Sequence, residues 1–187
     1  MPGSRPVLLL MDFQHGIVES LGSPSVVEAA DRAAKAARAA GIPVMFVRVG
    51  FRPGYPEVAA SNASFSALTA QGGDAYTQDH PATQVHASLT PLDGEPVIVK
   101  RRVSAFTGSD LDVLLRGTGA DELVLAGIAT SGVVLSTLRQ AADLDYRLTV
   151  LADACADRDE EVHRVLTEKV FPRQAIVTTT DEWIAAL

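Results

Sequence analysis

The feature that most constrains this chain is a repeated alternation of short apolar runs with segments of helical spacing. Val7–Asp12 is almost wholly apolar until its last residue, as expected of a strand covered on both faces of a parallel sheet. From Ser25, a candidate cap, alanines and valines recur at helical spacing to Ala40, and Gly41 stops the helix. Strands are expected at Pro43–Val49, Val97–Lys100, Glu122–Gly127, Arg147–Ala152 and Ala175–Thr178. Helices are expected from a Ser109/Asp112 capping box to Arg116, from Gly132 to Leu144, and from Asp159 to Phe171, where Pro172 ends the last. A terminal helix carries Trp183, which should tack it to the sheet. Strands alternating with helices predict an α/β fold with a parallel, doubly wound sheet and right-handed crossovers.

The chain has 187 residues, within the range of one domain, and no linker or repeat divides 1–187. A net charge of −7 argues against nucleic acid or an anionic membrane as the main partner. No apolar stretch approaches the roughly 20 residues of a membrane helix. The apolar run near the start is too short for a signal peptide, and one cysteine allows no internal disulfide, so a cytoplasmic location is expected. One region breaks the alternation. Gly50 to Pro96 contains five of the ten prolines and two of the four histidines. A connection of that length predicts a lid or a subunit contact.

Ligands of open parallel sheets bind beyond the carboxyl ends of the strands. Strand one ends there with Asp12 and strand three with Lys100, a costly acid and a costly base unless they are paired or solvated. Together in a cleft they would serve as an acid/base pair, and at a sheet rim they would be a structural ion pair. The turn Gly127-Ile128-Ala129-Thr130-Ser131-Gly132-Val133 opens a helix whose first N–H groups could bind an oxyanion, or whose Thr130 and Ser131 could simply cap it. The fifth strand is expected to end at Asp153, with Cys155 behind it.

Asp12 with Gln14, Lys100, Ser104-Ala105-Phe106 with Gly108, Gly127-Ile128-Ala129-Thr130 and Asp153-Ala154-Cys155-Ala156 together resemble the isochorismatase-like hydrolase family, part of the cysteine hydrolase superfamily. The resemblance runs from about Val7 to the C-terminus. It implies a three-layer α/β/α fold with a six-stranded, mainly parallel sheet. It implies Asp12 and Lys100 as catalytic residues, and a cis peptide between Ala129 and Thr130 in a turn that, with Val133, presents N–H groups to the substrate. It also implies a homo-oligomer, a dimer or tetramer, acting on a small molecule. The family's usual nucleophilic cysteine falls at Val133, and valine cannot form a thioester. Acid/base hydrolysis without a thiol, as of a vinyl ether, is therefore the first expectation. A degenerate binder of a metabolite or partner and an amidase-type C–N hydrolase are the alternatives. The Asp-x-His metal motif of the family's nicotinamidases is missing after strand two, so neither metal nor cofactor is expected.

Other residues carry weaker signals. Phe13, His15 and Phe106 are candidate pocket-lining side chains, with core packing for the phenylalanines and an exposed loop position for the histidine as the plain readings. Cys155, Ser131 and Ser136 are the spare nucleophiles. His80 and His86 read as loop histidines. Arg48 and Arg52 could clamp a carboxylate, and Arg101-Arg102 reads as solvated.

Overall fold

The computed structural model describes residues 4–187. Six parallel strands form one sheet: β1 (Pro6–Met11), β2 (Val44–Val49), β3 (Val97–Lys100), β4 (Glu122–Ile128), β5 (Arg147–Ala156) and β6 (Ile176–Thr178). Their order across the sheet is β3-β2-β1-β4-β5-β6. The chain therefore winds outward from β1 on one side and from β4 on the other. The carboxyl ends of β1 and β4 flank the crevice at which that direction reverses, the place where such sheets bind ligands.

Seven α-helices complete the layers. These are α1 (His15–Leu21), α2 (Pro24–Ala39), α3 (Ala63–Gly72), α4 (Leu111–Thr118), α5 (Leu135–Asp143), α6 (Glu160–Val165) and α7 (Thr180–Ala185). Strand alternation sorts the core into two halves. Val7, Leu9 and Met11 of β1 join Leu111, Leu115, Leu138 and Phe171 on one face. Leu8 and Leu10 join the buried alanines of α2 and Trp183 of α7 on the other. Ala29, Ala30, Ala33, Ala34 and Ala37 are all buried, and their small side chains let α2 lie close on the sheet. Trp183 tacks the last helix to the sheet, as its sequence position suggested.

Four details depart from the expectations. First, β5 continues past Asp153 to Ala156, because a register shift between Leu125 and Gly127 restores pairing of Gly127 with Cys155 and Ile128 with Ala156. Second, α2 starts at Pro24, whose fixed φ suits a first helical position, rather than behind Ser25. Third, no Ser109/Asp112 capping box forms. Ser109 Oγ instead donates to Ala105 O at 2.6 Å, and Asp112 pairs with Arg116 one turn on. The capping box that does form, Thr179 with Glu182, opens α7.

Fourth, the long segment after β2 is ordered by arginines. Arg48 Nη1 donates to Gln78 O at 2.8 Å and to Thr83 O at 3.3 Å. Arg101 donates to Gly50 O and to Gln78 Oε1, and Arg102 Nη2 donates to Glu57 O at 2.8 Å. Arg52 pairs with Glu57 at 2.6 Å. Arg48 and Arg52 thus grip the protein's own loop rather than standing ready for a carboxylate, and Arg101 and Arg102 are partly buried rather than simply solvated. Buried Gln14 adds a further tie, donating from Nε2 to Val49 O and Thr83 O, each at 2.9 Å, and accepting from Val49 N at 2.8 Å.

The central strands leave no room at Gly127. A Cβ there would stand 2.8 Å from Met11 O and 3.0 Å from Met11 Cβ. Gly127→Ala is expected to lower the unfolding free energy by about 2–3 kcal/mol, the usual cost of overpacking a core, as read by urea denaturation. An unchanged midpoint would show that β1 and β4 can separate there.

Candidate active site

Asp12 is the first residue beyond β1 and takes a left-handed backbone conformation, φ 59°. Its N–H donates to Val47 O at 2.7 Å, so the turn is tied to β2. Lys100 ends β3, two strands away in the sheet, and its long stem spans β2. Lys100 Nζ lies 2.9 Å from Asp12 Oδ2, with the lysine 2% and the aspartate 8% exposed. Nζ also donates to Arg102 O at 3.0 Å. Asp12 Oδ1 is buried and has no hydrogen-bond partner. Burial pushes the Asp12 carboxyl above the ordinary carboxylate range, against the opposing pull of the Lys100 charge.

Both groups line a cleft of about 460 Å³. Its floor includes Ile128, Ala129, Gly132 and Val133. Its apolar wall comes from Ile17 and Leu21 of α1, Phe65 and Leu68 of α3, and Val103. Ser20, Val49, Ser64, Asp157 and Arg158 complete it. Another depression, beside α2, has a comparable volume of about 500 Å³, so size does not single out the site. The buried ion pair does.

The turn after β4 differs in detail from the expectation. The cis peptide joins Ile128 to Ala129, one residue earlier than Ala129–Thr130. Ile128 is still a strand residue paired with Ala156, so the chain turns at the strand's own end. Ala129 is extended, and its carbonyl accepts from Gly132 N at 3.1 Å and Val134 N at 3.3 Å. Thr130–Val134 forms one wide π-type turn before α5 begins. Ser131 N donates to Asp157 Oδ2 at 2.7 Å. Two of the N–H groups expected to face an oxyanion, Ser131 and Gly132, are therefore satisfied within the protein. Thr130 is fully buried and its hydroxyl bonds His163 Nδ1 at 2.8 Å, so it secures the turn against α6. Val133 is 2% exposed and stands at the boundary of core and cleft.

Several candidates lie elsewhere. Phe13 packs in the core under α2, and Phe106 packs in the opposite core half near Tyr146. His15 begins α1 and rests on His86, ring centroids 5.0 Å apart. None of these three lines the cleft: the two phenylalanines turn into the core layers, and His15 turns toward His86. Asp153 holds α7, accepting from Thr180 N at 2.7 Å and Thr180 Oγ1 at 2.8 Å. Cys155 is buried beside Gly127, and burial pushes its thiol up to about 12, far from a neutral-pH thiolate. His80 and His86 each cap a short turn with Nδ1. Among the described residues, no group of three or more His, Cys, Asp or Glu is arranged to hold a metal ion.

The sequence reading missed the cleft's apolar wall and Arg158. The signal for α3 was Asn62, whose side chain accepts from Phe65 N at 3.1 Å, followed by Phe65 and Leu68 three residues apart. The signal for α1 was Gly22, which ends it in the left-handed conformation.

This geometry has close counterparts among known proteins. Residues 6–182 match the isochorismatase domain family. The isochorismatase family protein YecD of Escherichia coli O157:H7 is 35% identical over 184 residues, covering 96% of this chain and 95% of the relative. The ureidoacrylate amidohydrolase RutB of Pseudomonas syringae pv. syringae (strain B728a) is 39% identical over 146 residues, covering 69% of this chain and 57% of the relative. An isochorismatase family protein from Burkholderia thailandensis superposes with a TM-score of 0.85 at 28% identity, covering 98% of this chain and 95% of that one. The resemblance seen in the motifs thus extends over nearly the whole chain and the whole fold, and the chain belongs to the isochorismatase family.

Proposed function

We propose that this protein is a small-molecule hydrolase in which Asp12 and Lys100 perform acid/base chemistry without a cysteine nucleophile. The observation that carries this reading is the buried Asp12–Lys100 pair, with Asp12 Oδ1 unpartnered, on a cleft whose usual nucleophile position holds Val133. A carboxyl raised by burial can hold a proton at a pH where an ordinary aspartate cannot, which is what a general acid requires.

Hydrolysis of a vinyl ether fits these groups. Protonated Asp12 gives its proton to the alkene carbon, leaving an oxocarbenium ion. Water adds to that cation and returns a proton to the Asp12 carboxylate, and the hemiketal collapses to a carbonyl compound and an alcohol. Lys100 stabilises the carboxylate while the proton is away. A second reading is C–N hydrolysis by water, favoured by relatives described as a ureidoacrylate amidohydrolase and a maleamate amidohydrolase. Here Asp12, as carboxylate, would deprotonate the attacking water. Val133 rules out only the covalent form of this reaction, since that route needs a thiol at this position. The open cleft weighs against a binder that has lost its reaction space.

Screening vinyl ethers, amides and ureides for turnover tests the proposal. Asp12→Asn is expected to cost at least about 100-fold in kcat/KM on any substrate found, the usual scale of a lost acid/base group. Wild-type turnover by that variant would sink the site assignment.

The pH profile separates the two readings. A general acid works only while protonated, so vinyl-ether turnover is expected to fall as pH climbs through the raised Asp12 value. Lys100→Met removes the charge that pulls this value down, so the falling limb should move to higher pH. A rising limb instead would favour Asp12 as base and the C–N reading.

Position 133 can be tested separately. In the wild type, iodoacetamide should add nothing to the native protein, because Cys155 is buried and its thiol is raised. Val133→Cys should gain one adduct by intact mass. No adduct would mean that this position does not face the cleft.

A further inference from the structure

One hydrogen bond behind the cleft floor joins a buried hydroxyl to a side chain of the type that titrates near neutral pH. Thr130 lies between Ala129 and Gly132, both of which line the cleft, and is itself 0% exposed. Among the described residues its hydroxyl has a single hydrogen-bond partner, His163 Nδ1 at 2.8 Å. His163 belongs to α6, whose start is fixed by Asp159 Oδ1 accepting from Glu161 N at 2.9 Å and from Val162 N at 3.3 Å. The imidazole is half-buried and lines an outer depression of about 560 Å³ that shares Ser20, Leu21, Asp157 and Arg158 with the cleft.

The hydrogens at this contact decide whether it holds. A neutral ring with its hydrogen on Nε2 offers Nδ1 as an acceptor, and the buried hydroxyl donates to it. A ring with a hydrogen on Nδ1 can only donate there. The hydroxyl hydrogen then has no acceptor, and a buried donor left without one is a larger loss than a bond made is a gain. Protonating the ring puts a hydrogen on both nitrogens and forces that state.

The charges around the ring favour the neutral form. Asp157 and Arg158 face the same depression from the segment after β5, and Glu160 faces it from α6. From α1 come only Ser20 and Leu21, and Thr130–Val134 carries no titratable side chain. Cys155, with its thiol pushed up to about 12 by burial, stays neutral. Glu161 and Glu168 both pair with Arg164, and Lys169 is exposed. Burial lowers the His163 value below that of an ordinary histidine, and the Asp157 charge opposes this only in part. Asp157 holds the other tie of the turn, Ser131 N, and stays charged: burial raises its carboxyl, but hydrogen bonds from Ser131, Asp159 and Arg158 outweigh that.

We propose that His163 is a positioning residue of this site: its neutral imidazole keeps the turn after β4 in shape through Thr130, and its protonation lets that turn loosen. The effect on turnover rests on the reading of the Asp12 cleft as the substrate site, whereas the loosening itself is local. The sign follows from the ring. The turn is held while His163 is neutral and slackens as pH falls through its lowered value.

Amide hydrogen exchange of Gly132 and Val134, whose N–H groups donate to Ala129 O, reads this local opening. Followed by NMR between about pH 8 and about pH 5 and expressed as protection factors, both are expected to lose at least about tenfold as His163 takes its proton. His163→Asn keeps an oxygen near the place of Nδ1 and cannot be protonated, so it should match wild type at the upper pH and show no fall. His163→Leu should be poorly protected throughout. Asp12→Asn should keep the wild-type fall. The ring nitrogens are read directly in the wild type, where Nδ1 should show the shift of a bare acceptor at neutral pH. A hydrogen on Nδ1 there, a fall that survives in His163→Asn, or one that vanishes in Asp12→Asn would overturn the proposal. The nitrogen reading needs no variant, so a substitution that misfolds does not remove the test. On any substrate found, kcat/KM should show an acid limb that His163→Asn removes and Lys100→Met leaves in place, so the Asp12 limb is read on the His163→Asn background. Undiminished turnover by Asp12→Asn sinks the hydrolase reading without touching the exchange data, so the two can fail separately.

Discussion

Everything at the site depends on holding an acid and a base out of water at 2.9 Å. Removing two charges from solvent costs several kcal/mol each, and their attraction offsets that cost only when the geometry is good. The parallel sheet supplies the geometry. Asp12 sits in a turn fixed by its own N–H to Val47, and Lys100 reaches it from the end of β3 across one intervening strand. The carbonyl of Arg102 takes a second Nζ proton, so the ammonium is better satisfied than the carboxylate. That imbalance leaves Asp12 Oδ1 as the unsatisfied atom of the pair. A purely structural ion pair would gain by pairing both oxygens.

The rest of the molecule keeps this arrangement in place. The register shift in β5 returns Ile128 to the sheet just where the chain must bend, and Ala129 O gathers the N–H groups of the next turn. Thr130 on His163 and Ser131 on Asp157 fasten that turn to the segment after β5. On the opposite side, Arg48, Gln14, Arg101 and Arg102 fix the long excursion after β2 through its backbone carbonyls. That excursion carries α3 over the cleft.

Strand positions and the two charged strand ends were legible in the sequence because apolar runs covered on both faces have few alternatives, and a charge at the end of such a run stands out. The motifs identified the family for the same reason, since order and spacing survive where single residues do not. Features that depend on tertiary partners were hidden. Nothing local to Ala152–Ala156 announces that β5 continues, because the bulge that extends it lies in its pairing with β4. The resemblance implies a cis bond at Ala129–Thr130, one residue past the Ile128–Ala129 bond, because the pairing of Ile128 with Ala156 decides where the strand ends. Phe13 follows Asp12, but successive side chains leave a strand end in opposite directions, and Phe106, six residues past Lys100, turns back into the core beside Tyr146. α3 escaped because none of its ten residues is charged, so little in its sequence sets off an apolar face.

The division of labour between sheet and excursion has an evolutionary corollary. The groups proposed to react stand at the ends of β1 and β3, beside the bend after β4, and each is anchored to the central layer. Phe65 and Leu68 belong to the excursion after β2, which Arg48 and Arg102 hold through main-chain oxygens that are the same whatever side chains α3 bears. Mutations that reshape α3 can therefore change which molecule the cleft admits while the Asp12–Lys100 pair stays intact. A lineage with this scaffold could diversify its diet one helix at a time.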